Sequence, residues 1–332
     1  MCIRDRLKDA VTSLKVGDPA DFSTSVGPLI SPVNKNLSKV IEALEEGEEW
    51  LVEPKQLESV YLWSPGVKIN VHPGSWAHQN EWFGPVLGIM NAKDLEQAVD
   101  WQNSVPYGLT AGIQSLNEKE CEYWIENVEA GNLYVNRTTT GAVVDRHPFG
   151  GWKKSSFGPT AKTGGDHYVS MFREYQPVEN IESLKYEFKL TWEEIGNKSI
   201  KLGNTESERN FKRYVPYKNI LLVTEEDFSK DLENFIFWIS ELLNISIKII
   251  SQDTLLSPDS DLDPSLFEKI RWIAMSQEIP TQIFNSGATV DERGLSQNGK
   301  QELLCWLKEQ SISITNHRYG NIGSGPQPFK DW

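Results

Sequence analysis

Residues 131–172 read GNLYVNRTTTGAVVDRHPFGGWKKSSFGPTAKTGGDHYVSMF, a run that is polar, poor in carboxylates and bracketed internally by Gly-Gly pairs at 150–151 and 164–165. After its first few residues nothing in it repeats at helical or strand period. The run is therefore expected to be an ordered loop shaped by turn chemistry. Long ordered loops inside compact domains tend to carry function, because a rigid scaffold can aim their side chains and amides.

On the N-terminal side of this run, apolar periodicity alternates between strand and helix. Residues 36–47 (NLSKVIEALEEG) predict an amphipathic helix, with Leu37, Val40, Ile41 and Leu44 on one face and Gly47 as its stop. Strands are expected at 60–63, 67–71, 86–90, 108–114 and 132–136, with helices at 93–103 and 117–128; Asn117 followed by Glu120 forms a helix-start signal. On the C-terminal side, residues 173–218 are rich in charge and tyrosine. Their period-two apolar set Tyr186, Phe188 and Leu190 suggests a linker or an irregular β flap. From 219 the alternation resumes: strand 219–224, a helix through 243, strand 245–250, helix 264–276, strand 280–284, helix 298–309 and strand 311–315. Such alternation argues for an α/β class built on mainly parallel sheets.

The 332 residues allow about two domains, and 39% hydrophobic content with 12 tryptophans suffices for more than one core. The net charge of −14 is spread evenly: 16 basic and 24 acidic side chains over 1–180, 17 and 23 over 181–332. A diffuse negative field repels phosphate backbones, which argues against a nucleic-acid partner. Three widely spaced cysteines, Cys2, Cys121 and Cys305, do not make a disulfide framework, so a reducing cytoplasm is expected. No apolar run approaches the ~20 residues that span a bilayer. No basic segment followed by an apolar core marks an export signal.

Two motifs in order carry a family resemblance. EWFGPVLGIM at 81–90 is similar to the E-x-F-G-P-V cofactor motif of the aldehyde dehydrogenase superfamily, and YVNR, TTGA and PFGG within 134–151 resemble the substrate-anchoring loop of glutamate semialdehyde dehydrogenases of proline catabolism. LKDAVTSLKVGDPADFSTSVGPLIS, from Leu7, resembles the helix and turn that follow the nucleophile in that family, whereas MCIRDR fits no part of it and is expected to be an artefact. The ending SISITNHRYGN (311–321) resembles the degenerate, dehydrogenase-like C-terminal domain of some long bifunctional proline utilization A proteins. The fold expected from these resemblances is the C-terminal part of an aldehyde dehydrogenase catalytic domain over 7–160. An interface strand and linker or flap follow over 161–218, then a second, degenerate Rossmann-like α/β domain over 219–332.

The resemblance implies specific site residues. Glu81 would accept hydrogen bonds from ribose hydroxyls of NAD and Phe83 would pack on its nicotinamide side; Trp82 stands where the family has Ile or Leu. Gly141 and Ala142 would offer backbone amides to the substrate's α-carboxylate, as paired N–H groups in a turn form an anion nest, and Phe149 would pack on its aliphatic chain. Asp145 and His147 depart from the neutral residues usual there. The family's nucleophilic cysteine lies in a G-Q-x-C context, with the general-base glutamate upstream of it. None of the three cysteines here lies in that context. The expectation is a fragment, inactive alone, of an NAD-dependent enzyme that oxidises glutamate γ-semialdehyde to glutamate. FAD would enter only with a proline dehydrogenase domain in the parent, which could then associate peripherally with membranes; the parent is expected to be a homo-oligomer. Another aldehyde dehydrogenase, or a catalytically dead assembly or regulatory homologue, are the alternatives.

Other candidates read as structural. Lys153, Lys154 and Lys162 lack the GxxxxGK[ST] spacing and are expected to be solvated. His72, His78, His147 and His167 have no metal-ligand spacing, and His317 in HRYGN is expected to be structural. Thr224-Glu225-Glu226-Asp227 ends a strand with carboxylates where a nucleotide site needs glycines, so these acids are expected to cap the next helix.

Overall fold

The computed structural model describes residues 3–156, 158, 161–165, 167–172, 174–203, 205–274 and 278–315; the HRYGN motif lies outside them. The described residues fall into two compact units that divide between Val105 and Pro106. Among the described residues no helix is long and apolar enough to cross a membrane.

The first unit runs α1 (Ile3–Thr12), α2 (Lys35–Glu42), β1 (Glu49–Val52), β2 (Gly66–Ile69), α3 (Trp76–Gln79), β3 (Val86–Gly88) and α4 (Leu95–Asn103). β2 is central, antiparallel to β1 and parallel to β3. Helix α2 begins because the Asn34 side chain accepts from the Asn36 and Leu37 amides. It buries Leu37 and Val40 but stops at Glu42, short of the expected Gly47, and Leu44 is exposed. The reason is tertiary. The Ala43 carbonyl accepts from Nζ of the buried Lys68 at 2.9 Å, and the same ammonium pairs with Glu48 Oε2 at 2.9 Å. Residues 60–63 form no strand; Trp63 makes only an isolated bridge to Gln56.

The second unit continues with β4 (Tyr107–Gly108), β5 (Thr110–Ile113), α5 (Glu118–Asn127), β6 (Asn132–Val135), β7 (Trp152–Lys153), α6 (Ile181–Ile195), β8 (Ser199–Lys201) and β9 (Glu208–Pro216). There follow β10 (Asn219–Thr224), α7 (Lys230–Leu243), β11 (Ser246–Ser251), α8 (Gln252–Leu256), β12 (Lys269–Trp272), α9 (Thr281–Phe284), β13 (Thr289–Asp291), α10 (Gly299–Leu304) and β14 (Leu307–Thr315). A five-stranded sheet has the order β5-β6-β14-β9-β8, and a four-stranded one β11-β10-β12-β13. The latter is parallel throughout, with the first strand of the segment near its middle, which is the arrangement of a Rossmann-like α/β unit. Both its faces are buried. Ile220 and Leu222 meet α6 and α7 on one side, while Leu221, Val223, Ile270 and Trp272 form a core on the other.

Five local expectations are corrected. Residues 181–195 are a helix: its buried residues Leu184, Phe188 and Ile195 share a helical stripe, while Tyr186 and Leu190 are exposed. Residues 269–272 form strand β12 instead of continuing a helix, and 281–284 are helical instead of extended. Helix α10 ends at Leu304, and the polar LKEQSIS that follows belongs to β14, buried from Leu307 to Ile314. Helix α7 starts at Lys230, and the acids in its first turn are Asp231 and Glu233, so residues 225–227 precede it without capping it.

Strand β12 is compatible with burial because its basic side chains are paired. Lys269 Nζ lies 3.0 Å from Asp291 Oδ2 and donates to the Cys305 carbonyl at 2.7 Å. Arg271 donates to Glu302, whose carboxylate also accepts from Trp306 Nε1 and the Ser296 amide, each at 2.8 Å. Burial alone would raise the Asp291 carboxyl, but Lys269, Arg293 and Arg271 together hold it well below the usual carboxylate range.

Removing one partner of such a pair strands a buried charge. Glu302→Leu should therefore cost about 3–5 kcal/mol, and Arg271→Met added to it should recover most of the loss. Urea unfolding followed by tryptophan fluorescence checks this; additive losses in the double variant would refute the pairing.

Candidate functional site

The two motif segments belong to different units and are built separately. In the first unit the turn 81–85 is held by its main chain. Asn36 Nδ2 donates to the Glu81 carbonyl at 3.0 Å, and Trp82 Nε1 donates to the Ala77 carbonyl at 3.1 Å. A Cβ on Gly84 would lie 2.5 Å from both Leu37 methyls, so only glycine lets the turn sit on α2. Phe83 adopts φ +52°, uncommon for a bulky residue, and the residue is 66% exposed. A pinned backbone thus presents the Glu81 carboxylate and the Phe83 ring to solvent. Trp82 packs toward Gly88.

In the second unit the polypeptide leaves β6 at Asn136 (φ +57°) and enters a loop in which residues 138–145 are all exposed. Gly141 sits at φ +100°, where an added Cβ would lie 3.6 Å from Arg137 Nη2, and is followed by the exposed Ala142. The loop closes on the Val143–His147 bridge, with the His147 amide 2.7 Å from the Val143 carbonyl. Phe149 then pairs with Thr163 through two backbone bonds of 3.0 and 2.9 Å. Both loop ends carry an arginine, and both arginines reach one carboxylate: Arg137 Nη1 lies 2.9 Å from Glu208 Oε2, and Arg146 Nη1 3.1 Å from Oε1. Sequence reading missed Glu208, and no local signal could have found it, because it lies 71 residues beyond Arg137. The structure therefore gathers Gly141, Ala142 and Phe149 on one supported segment; Asp145 is exposed at φ +62° and His147 is buried.

Beside Phe149 is a cavity of about 460 Å³, lined among others by Trp152, Lys162, Tyr217 and Lys308. Lys162 is not solvated as expected. It is buried, and its ammonium donates to the Gly131 carbonyl (2.8 Å), the Gly150 carbonyl (2.6 Å) and Asn132 Oδ1 (3.1 Å). Burial pushes it down to about 7, opposed by Glu309. These three oxygens replace its hydration shell and tie the PFGG turn to the start of β6. Lys153 pairs with Glu129 at 3.0 Å, and Lys154 is exposed. The Cys121 and Cys305 thiols are both buried, and burial raises Cys305. His72 and His78 bond to the carbonyls of Glu46 and Trp101.

The aldehyde dehydrogenase family model matches residues 2–178, more than half of the chain. The chain belongs to the aldehyde dehydrogenase family. It is 35% identical over 181 residues to the 1-pyrroline-5-carboxylate dehydrogenase of Geobacillus sp. (strain WCH70), covering 54% of this chain and 35% of that protein. It is 36% identical over 176 residues to the enzyme of that name from Staphylococcus saprophyticus, covering 51% and 33%. The chain thus spans about a third of the length of these curated family members. Among solved structures, proline utilization A from Corynebacterium freiburgense superposes with a TM-score of 0.81 at 37% identity, over 95% of this chain and 34% of that one. That likeness extends beyond residue 178 into the Rossmann-like segment.

Within this family segment His147 is a packing residue. Its ring lies 4.8 Å from that of Tyr134, and burial first, then the charges of Lys162 and Arg137, push it down to about 4 from 6.5. As pH falls the unfolded chain takes up the proton first. The stability contributed by neutral His147 is therefore complete above about 6.5 and lost between there and about 4, amounting to about 3 kcal/mol at most. His147→Phe should flatten the fall in urea-unfolding free energy across that window; an unchanged slope would contradict this.

Proposed function

We propose that this chain is the C-terminal part of an NAD-dependent dehydrogenase that oxidises L-glutamate γ-semialdehyde to glutamate. The observation that carries the reading is the loop 138–145: solvent-facing, pinned at both ends, with Gly141 left-handed and the small Ala142 following it. Paired turn amides with no bulky side chain above them suit an α-carboxylate. The substrate class is supported by the relatives named for 1-pyrroline-5-carboxylate, the cyclic imine that adds water to give this aldehyde.

In this reading Gly141 and Ala142 anchor the carboxylate, and Phe149 packs on the methylene chain. The aldehyde end is thereby held at one depth for attack by a cysteine thiolate supplied from outside this chain. NAD, when bound, accepts the hydride. An exposed carboxylate at Glu81 and an exposed aromatic face at Phe83 suit a ribose diol and a flat heteroaromatic ring. The buried Cys121 and Cys305 are poor nucleophile candidates, since a substrate cannot reach a buried sulfur.

Two outcomes test this. The 332-residue chain, given NAD⁺ and aldehyde, should show no turnover; turnover that survives removal of Cys121 and Cys305 would overturn the reading. In the full-length enzyme, Ala142→Val should lower kcat/KM for glutamate semialdehyde at least ~10-fold, or about 1.4 kcal/mol. Propanal, which has no carboxylate to place, should lose clearly less. Because Ala142 is exposed, the substitution should disturb folding by no more than about 0.5 kcal/mol. Equal losses for both aldehydes would reduce the loop to scaffolding.

A further inference from the structure

Residues 138–145 are all exposed, and the main-chain bonds that hold them gather at their C-terminal end, where Asp145 donates to the Gly164 carbonyl at 3.3 Å and the Val143 carbonyl accepts from the Arg146 and His147 amides. Ordering such a loop opposes a backbone entropy of about 1–2 kcal/mol per residue, so its geometry has to come from its ends. Those ends converge on Glu208, the first residue of β9, with one carboxylate oxygen for Arg137 and the other for Arg146. The carboxylate is itself placed by strand pairing. Glu208 is opposite Thr315 in the β9–β14 ladder, and Asn210 Nδ2 donates to its Oε1 at 3.2 Å. Ser313 of β14 closes the ring: its hydroxyl accepts from Arg137 and donates to Asn210 Oδ1 at 2.8 Å. All five side chains are partly or fully buried, so these bonds are less screened than surface pairs.

We propose that Glu208 is a positioning residue that determines specificity. By chelating both loop arginines it sets the separation of the loop's ends, and with it the aim of the Gly141–Ala142 amides at an α-carboxylate. This rests on the substrate reading above. Turn amides discriminate only when held within about 0.5 Å of productive geometry, which an untethered exposed loop cannot maintain. The alternative role for Glu208 is purely electrostatic, and it has the opposite sign. Neutralising Glu208 would then leave two uncompensated arginines beside the loop and draw an anionic substrate in more tightly.

The test uses Glu208→Gln, which keeps the shape and removes the charge. In the full-length enzyme, KM for glutamate semialdehyde should rise about 10-fold with kcat reduced less than about threefold, while KM for propanal stays within about twofold. Adding Arg146→Gln to Glu208→Gln should cause little further loss, because the tether is already broken. A lower KM for the semialdehyde, or equal losses for the two aldehydes, would overturn the proposal. A wild-type enzyme with no preference for the carboxylate-bearing aldehyde would instead overturn the substrate reading. Amide hydrogen exchange on the 332-residue chain separates the two. Glu208→Gln should accelerate exchange at Arg146 and His147, whose amides bond to the Val143 carbonyl, and at Asp145, whose amide bonds to the Gly164 carbonyl, while β6, β9 and β14 stay protected. Unchanged exchange at those three amides, or loosening of all three strands with them, would refute the tether whatever the substrate.

Discussion

Strand β14 lies between β6 and β9 and is hydrogen-bonded to both, in parallel with one over 311–314 and antiparallel to the other along its whole length. The second unit depends on that insertion. β6 precedes the loop at 138–145, and β9 begins with the carboxylate that holds the loop, so the strand that joins them fixes one against the other. Pairing residues 311–314 with 132–135 closes a very long chain segment. The entropy of that closure grows only slowly with length, and it is offset by burying a complete strand on both sides.

The composition of β14 is unusual for a central strand. Lys308, Glu309, Gln310, Ser311 and Ser313 are all buried. Lys308, Gln310, Ser311 and Ser313 are placed where tertiary partners satisfy them. Lys308 reaches Glu268 at 3.2 Å, and Gln310 accepts from Arg213 at 2.7 Å and donates to the Ala130 carbonyl at 2.8 Å. Ser311 donates to the Pro148 carbonyl at 2.6 Å, beside the PFGG turn. The same logic governs β12, where Lys269 and Arg271 are buried against Asp291 and Glu302. Buried polar groups of this kind add little net stability but are costly to strand, so they favour one arrangement of the strands over its neighbours in register.

The turn at 81–85 shows the opposite economy. Its conformation is set over short range by Gly84 against Leu37, by the Asn36 bond and by the left-handed Phe83. A motif made by local sterics leaves its mark on residue type, which is why EWFGPV could be read as a family motif from the chain alone. The TTGA and PFGG turns are legible for the same reason: Gly141 takes a positive φ, and Lys162 locks Gly150 and Gly131 together.

What the amino-acid order determined by itself was therefore local or periodic. It specified the α/β alternation, the hydrophobic strand Asn219–Thr224 with the helix after it, the glycine-dependent turns and the family motifs. These follow from backbone sterics and the burial of apolar stripes, which act over a few residues. Tertiary structure alone decided that α2 ends early at the carbonyl taken by Lys68, and that 181–195 coil because Leu184, Phe188 and Ile195 find a common core. It also decided that the charged and polar stretches 269–272 and 307–315 become buried strands, and that Glu208 meets both loop arginines. In each of these a polar or ambiguous residue takes its place from a partner distant in sequence, and the free energy of a paired charge cannot be assigned until that partner is beside it.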